Sequence, residues 1–394
     1  MKYIDEFRNP DAAQRLLALI GSRSTRSVRL MEFCGGHTHA IFKFGLRQLL
    51  PPTVRLLSGP GCPVCVTASS DVDRAIAMAH LPGVIMTTFG DMMRVPGSPA
   101  KKRRSLASPQ ARAGRSPAER MQSLAVPEAR AGRSLQDAKA QGADVRMVYS
   151  TLDALSIARS NPDRQVIFLG IGFETTAPTV AAAILQAQVE GLGNFGVLSV
   201  HKLTPPATKA ILDAGEVQLS GIIGPGHVTT VIGSDAWEFL PLDYGISCAI
   251  AGFEPLDILQ AVYFLVDAIE RDTPTASNAY TRSVRPEGNR VAQRMMHQVF
   301  QVGAAEWRGL GTVPASGLTL RDEYAAFDAT RRFPVEVGPS EEPKGCRCGE
   351  VLRGVTEPSQ CPLFARVCTP EHPIGPCMVS SEGACAAHMQ YGEM

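Results

Sequence analysis

The stretch Thr53–His80, "TVRLLSGPGCPVCVTASSDVDRAIAMAH", decides how the rest of the chain is read. "TVRLLSG" is an apolar run of strand length closed by a glycine. "ASSDVDRAIAMAH" is the helix that follows it, and the turn between them carries a Cys-Pro-Val-Cys pair. Strand, turn and helix make half of a βαβ unit. The same rhythm runs outward in both directions. "VRLMEF" precedes it, and "VIMTTF" (Val84–Phe89), "DVRMVYS" (Asp144–Ser150), "QVIFLG" (Gln165–Gly170), "FGVLSV" (Phe195–Val200), "SGIIG" (Ser220–Gly224) and "SCAIAG" (Ser247–Gly252) come after it. Helical spacing separates most of these runs, "TLDALSIARS" (Thr151–Ser160) being the clearest. Short apolar strands alternating with helices predict an α/β protein with largely parallel sheets covered on both faces.

So many strands over so long a span predict two α/β domains, with a break near Tyr149. The expected divisions are 1–149, 150–275 and a terminal region 276–394. The chain has 394 residues, 44% of them hydrophobic, enough for more than one core. Its net charge of +1 gives no overall field for nucleic acid. The first residues, "MKYIDEFRNPDAAQRLLALI", are interrupted by charge and do not read as a signal peptide. No apolar run reaches the ~18 residues of a membrane helix. A cytoplasmic protein without membrane insertion is expected, and its ten cysteines then point to metal or thiol chemistry.

Pro99–Arg133 breaks the pattern. It carries nine Lys/Arg against two Glu, and "SLASPQARAGRS" (Ser105–Ser116) returns as "SLAVPEARAGRS" (Ser123–Ser134). Few large apolar side chains are present to offset the cost of ordering, so a mobile surface loop is expected. Aromatic stacking platforms are missing, which argues against nucleic-acid binding.

Six cysteines crowd the C-terminal region: Cys346, Cys348, Cys361, Cys368, Cys377 and Cys385. Soft thiolates bind iron–sulfur clusters or zinc. The segment has no CxxC pair of the zinc-knuckle kind, and unequal loops wrap readily around a cubane. Spacing alone does not separate cluster ligands from a spare pair. Cys62 and Cys65 sit near a helix start, where unpaired N–H groups favour a thiolate and dithiol–disulfide cycling. A packed turn is the plainer reading of that pair.

Cys34 opens "CGGHTHA" after a strand-like run. Gly35 and Gly36 allow close backbone approach, and His37 and His39 are candidates for proton transfer, hydrogen bonding or metal contact. Strand ends of a parallel sheet gather at one edge, so Cys34, Cys62 and Cys65 are expected to meet. "GIGFETTAPT" (Gly170–Thr179) and "IAGFEPLDIL" (Ile250–Leu259) place Glu174 and Glu254 at strand ends, as ligand-orienting groups or as helix caps. "GPGHV" supplies His227, and "TFGDMMRVPGS" supplies Asp91 and Arg94. Cys248 reads as a buried strand residue. Neither Gly-Pro-Gly turn matches a nucleotide-binding fingerprint.

Across nearly its whole length the chain resembles the HypD family of hydrogenase maturation factors. "FCGGHTHAIFKFG" (Phe33–Gly45), "SGPGCPVCV" (Ser58–Val66), "FGDMMRVPGS" (Phe89–Ser98), "GIGFETTAPT", "GPGHV", "AGFEP" and the string Cys346–His388 carry the resemblance. Pro99–Arg133 departs from it as a dispensable insertion. The resemblance implies two α/β domains and a small C-terminal [4Fe–4S] domain. It implies assembly of the Fe(CN)2CO group of [NiFe] hydrogenase, destined for the hydrogenase large subunit. A HypC-like small chaperone would share the iron, and a HypE-like donor would supply cyanide. Carried onto this chain, Cys34 is the central thiol and iron ligand, with His37 assisting and His39, Glu174 and Glu254 around it. Cys62 and Cys65 are a nearby redox pair. Cys346, Cys361, Cys368 and Cys385 hold the cluster, and Cys348 and Cys377 are the spare pair. Two other readings remain: an independent thiol–disulfide oxidoreductase, and a scaffold whose cluster is purely structural.

Overall fold

The computed structural model describes residues 5–99 and 134–392. All of the basic segment expected as a loop, apart from Pro99, lies outside the described residues. The strands are β1 (Val28–Glu32), β2 (Val54–Ser58), β3 (Val84–Thr88), β4 (Asp144–Met147), β5 (Gln165–Gly170), β6 (Phe195–Ser199), β7 (Gly221–Pro225), β8 (Ser247–Ala251), β9 (Ala276–Asn278), β10 (Phe300–Trp307) and β11 (Gly311–Leu320). They form two parallel sheets, in the orders β2-β1-β7-β8-β9 and β4-β3-β5-β6, and one antiparallel hairpin of β10 and β11. The α/β class is as expected.

The sharing of strands is not. The sheets do not divide at Tyr149, because β3 pairs with both β4 and β5 across that point. β1 pairs with β2 on one side and with β7 on the other, Met31 lying opposite both Leu57 and Ile222. The chain therefore begins the five-stranded sheet, leaves it to build the whole four-stranded one, and returns. β9, at the start of the expected terminal region, is the fifth strand of the first sheet. Hydrophobic runs make strands locally. Which run pairs with which depends on the far side chains that cover them.

β3, β7 and β8 are buried along their full length, as central strands covered on both faces must be. The helix Pro255–Glu270 shows why the cover forms. Proline stands in its first turn and Glu254 closes a capping box with Asp257. Ile258, Leu259, Val262, Leu265 and Val266 fall on one stripe and are buried against the first sheet with Leu30, Ile223 and Ala249. Full burial of each is worth about 1.5–3 kcal/mol. A second core joins Phe168 and Val166 of the four-stranded sheet to the helices Thr151–Ser160 and Ala177–Glu190. Ser150 starts the first of these in a reciprocal box with Asp153. Such a cap contributes about 1 kcal/mol.

Between the sheets lies a further core. It gathers Cys62, Val64 and Cys65 with Ile171, Phe173, Val200 and Val228, and with Cys348, Cys368, Cys377 and Cys385. The segment after the hairpin thus packs into the junction of the two sheets. No helix among the described residues is long and apolar enough to cross a membrane.

Candidate functional site

Cys34 follows β1 and is the N-cap of the helix Gly35–Lys43. Cys62 follows β2 and caps the short helix Pro63–Val66. His227 follows β7, and Phe253 follows β8. All four strands are parallel, so these residues gather at one edge. From β1 the chain leads to β2, and from β7 to β8 on the opposite side. The crevice between β1 and β7 is therefore a topological switch point, where α/β sheets bind ligands. Across it the Cys34 sulfur lies 3.5 Å from Nδ1 of His227.

Close backbone approach builds the floor of this crevice. Gly35 N–H donates to Gly61 O at 2.9 Å. A methyl group at Gly61 would stand 2.1 Å from the Cys34 nitrogen, so only glycine fits there. The Cys34 N–H donates to Glu32 Oε2 at 3.1 Å, and the Thr38 hydroxyl donates to the other oxygen of the same carboxylate. Glu32 is buried, and burial pushes its pKa up to about 8. Cys34 is only 2% exposed. Burial, then the negative charge of Glu382, pushes its thiol well above the ordinary range. Glu382 is itself raised by desolvation and then by the charge of Asp91.

His37 is fully buried one turn along the helix. Its Nε2 faces Ala251 O at 3.2 Å and Gly252 O at 3.0 Å. Two carbonyls can only accept, so Nε2 carries the hydrogen and Nδ1 offers a lone pair. That Nδ1 is buried with no hydrogen-bond partner. Burial lowers both His37 and His227 to about 4, which keeps them neutral at pH 7. His39 points elsewhere, with Nδ1 3.4 Å from Ser381 O and its ring edge-on to Tyr391.

Cys62 and Cys65 are joined as a disulfide, with both residues buried. The Cys65 N–H donates to Cys62 Sγ at 3.2 Å. Their helix packs on the turn Pro376–Met378, which holds Cys377. All six C-terminal cysteines line one cavity, closed by Leu363, Phe364, Gly375 and Met378. A methyl group at Gly375 would meet Cys346 Sγ at 2.6 Å. Cys348 and Cys377 hydrogen-bond to each other; that bond is the largest influence lowering the first and raising the second. Burial raises Cys346, with the charges of Cys348, Cys361 and Cys385 adding to it. No group of three or more His, Cys, Asp or Glu among the described residues is drawn tightly enough to hold a single metal ion. A cubane needs its four thiolates spread over its corners, and six thiols around one apolar cavity are a donor set of the right softness for it.

The two glutamates lie in structural positions. Glu174 is buried and accepts from the Thr204 N–H at 2.7 Å, so it caps the helix Thr204–Ala214 rather than the one that follows it in the chain. Burial raises its pKa to about 7. Glu254 is bound by Arg8, with Nη2 2.9 Å from Oε1, and caps Pro255–Glu270. Cys248 is fully buried in β8. Arg94 reaches the carbonyls of Pro370 and Glu371, the latter at 3.2 Å, and so ties "GDMMR" to the cysteine segment. Glu32, Phe253 and Glu382 were not among the sequence candidates, and His227 was noted only within its turn. For His227 the legible signal is its place directly after the apolar run "SGIIGPG".

A family model named HypD, "Hydrogenase formation hypA family", matches residues 11–117 and 121–392. The chain belongs to the HypD family. The break in the match, at 118–120, falls inside the basic segment. The chain is similar to the hydrogenase maturation factor HypD of Azotobacter vinelandii, with 48% identity over 400 residues, covering 100% of this chain and 97% of that protein. It is similar to HypD of Rhizobium leguminosarum bv. viciae at 45% identity, covering 100% and 96%. HypD of Escherichia coli K12 is 42% identical, with 99% of this chain and 98% of that one covered.

Proposed function

We propose that this HypD-family chain is a cytoplasmic hydrogenase maturation factor, the scaffold on which the Fe(CN)2CO group of [NiFe] hydrogenase is assembled. The observation that carries this reading is the buried Cys34 thiol at the switch-point crevice, 3.5 Å from a neutral His227. Iron is the cargo, and Cys34 is its anchor. Because burial keeps the free thiol protonated, taking up iron must release that proton. His227 Nδ1 lies within reach to receive it. A HypC-like small chaperone completes the iron site from outside, and the finished group passes on toward the hydrogenase large subunit.

Cyanide arrives from a HypE-like thiocyanate donor. Freeing it breaks a carbon–sulfur bond, and the donor sulfur takes up two electrons and a proton. Once reduced to two thiols, Cys62 and Cys65 provide two electrons and two protons on closing again to the disulfide, so a donor thiol and hydrogen cyanide balance the exchange. Cys346, Cys361, Cys368 and Cys385 would hold a [4Fe–4S] cluster, which supplies electrons when bound. Cys348 and Cys377 form the spare thiol pair beside it.

The scaffold reading is tested by anaerobic infrared spectroscopy of the chain co-purified with its small chaperone. Cyanide and carbonyl bands that shift on isotopic labelling are expected. Their absence from an iron-loaded, partner-bound sample would overturn it.

A further inference from the structure

Arg308 stands in the loop between β10 and β11, only 2% exposed, with its charge buried between two thiol centres. Its backbone N–H donates to Val66 O at 2.9 Å, and its Nε donates to Thr67 O at 2.9 Å. Both carbonyls end the helix that carries Cys65. Its Nη2 donates to Pro96 O at 3.3 Å, and its Nη1 pairs with Glu342 at 2.6 Å. Glu342 lies just ahead of Cys346 and the six-thiol cavity, and it also accepts from Ser69 Oγ at 3.0 Å. Trp307, the neighbour of Arg308, bridges to Thr67. One rigid fork thus ties the exit of the Cys62–Cys65 turn to the entrance of the terminal cysteine segment. A guanidinium suits this task, since its donors are fixed in one plane.

We propose that Arg308 is a positioning residue that couples the Cys62–Cys65 pair to the six-thiol cavity through Glu342. The inference rests on the reading of that cavity as an iron–sulfur site. If the two centres are linked, loading one must shift the equilibrium of the other. The full chain is equilibrated anaerobically, iron-loaded and iron-free, in dithiothreitol buffers of graded reduced-to-oxidised ratio. One dithiothreitol closes to its ring disulfide as Cys62–Cys65 opens to two thiols, and alkylation with mass spectrometry counts each form. The equilibrium constant is expected to differ about tenfold between loaded and iron-free chain. Glu342→Gln and Arg308→Gln are expected to cut this difference below about threefold while retaining the iron and sulfide of the loaded chain. A merely structural role for the fork would change stability or loading but not this difference. Glu342 is half-exposed, so its variant decides the matter if Arg308→Gln does not fold. An undiminished difference in a folded Glu342→Gln chain overturns the link. So does a loaded wild-type chain that shows no difference. A wild-type chain that takes up no iron and sulfide overturns the cluster reading, and the link with it.

Discussion

The Cys34 thiol and the His227 imidazole meet at 3.5 Å although 193 positions separate them in the chain. One follows β1 and the other β7, and these strands are neighbours in the first sheet. The contact exists because the chain returns to a sheet it left after β2. It places a proton donor and a neutral acceptor at the point where iron is proposed to bind.

Cys34→Ala is expected to abolish the cyanide and carbonyl bands of the partner-bound chain while the terminal cluster remains. Infrared spectra report the first half and Mössbauer spectra the second. Normal cyanide-bearing iron in this variant would remove Cys34 from the role of anchor. His227→Ala should load iron more slowly, with the deficit recovering as pH rises, because proton release then no longer needs the imidazole.

Cys361→Ala is expected to lower iron and sulfide in the purified chain to a small fraction of wild type. Cys348→Ala is expected to leave both near the wild-type level. Equal losses in the two variants would show that the six thiols do not divide into four ligands and a pair.

Gly61→Ala tests the backbone floor without touching a thiol. The added methyl group would lie 2.1 Å from the Cys34 nitrogen and 2.3 Å from its Cα, and backbone cannot give way as a flexible side chain does. A loss of about 3 kcal/mol or more is expected in urea unfolding, together with loss of the cyanide bands. Wild-type stability would mean that the Cys34 and Gly61 segments are not in this contact.

Stability should fall as pH rises above 6.5. His37 and His227 are lowered to about 4 from an ordinary 6.5. Between those values the unfolded chain holds more protons, so these groups make stability rise with pH. Glu32 is raised to about 8 and Glu174 to about 7 from 4.5, so the folded chain holds the extra protons there. Their contribution is present in full below 4.5 and is lost as pH climbs through the folded values. Above 6.5 only this second effect remains, at about 1.4 kcal/mol per pH unit for each group while the folded form stays protonated. Denaturant midpoints at pH 5.5, 6.5 and 8 measure the curve, and Glu32→Gln should flatten its alkaline side. A midpoint that climbs from pH 6.5 to 8 would contradict the assignment.

Asp257 is fully buried and paired with Arg282 through two bonds of 2.6 Å. Asp257→Ala strands the guanidinium and loosens the Gly252–Phe253 turn beside His37. A cost of about 3–5 kcal/mol is expected from calorimetry. A melting temperature within a degree of wild type would show the pair to be dispensable.

Much of this was legible in the sequence. "QVIFLG" is β5 and "TLDALSIARS" is a helix over Thr151–Ser160, residue for residue. Cys248 was read as core and is core. These readings succeed because strand length, helical spacing and capping are set by neighbours in the chain. Glu254 as a cap belongs with them, since its partner Asp257 is three residues away.

What only the tertiary structure decided is everything that depends on which strand lies beside which. No local pattern says that β1 pairs with β7 rather than β3, because both are apolar runs of five residues. The expected break at Tyr149 failed for that reason. Glu174 capping a helix that begins at Thr204, His227 reaching Cys34, and Arg308 holding Thr67 all follow from the same long-range packing. The sequence determined which segments would be β1 to β8 and where the soft ligands stand along the chain, while β9 and the β10–β11 hairpin were not legible in it. Burial of those strands against distant partners, a sum over the whole core rather than over any window, decided which of the ligands share a site.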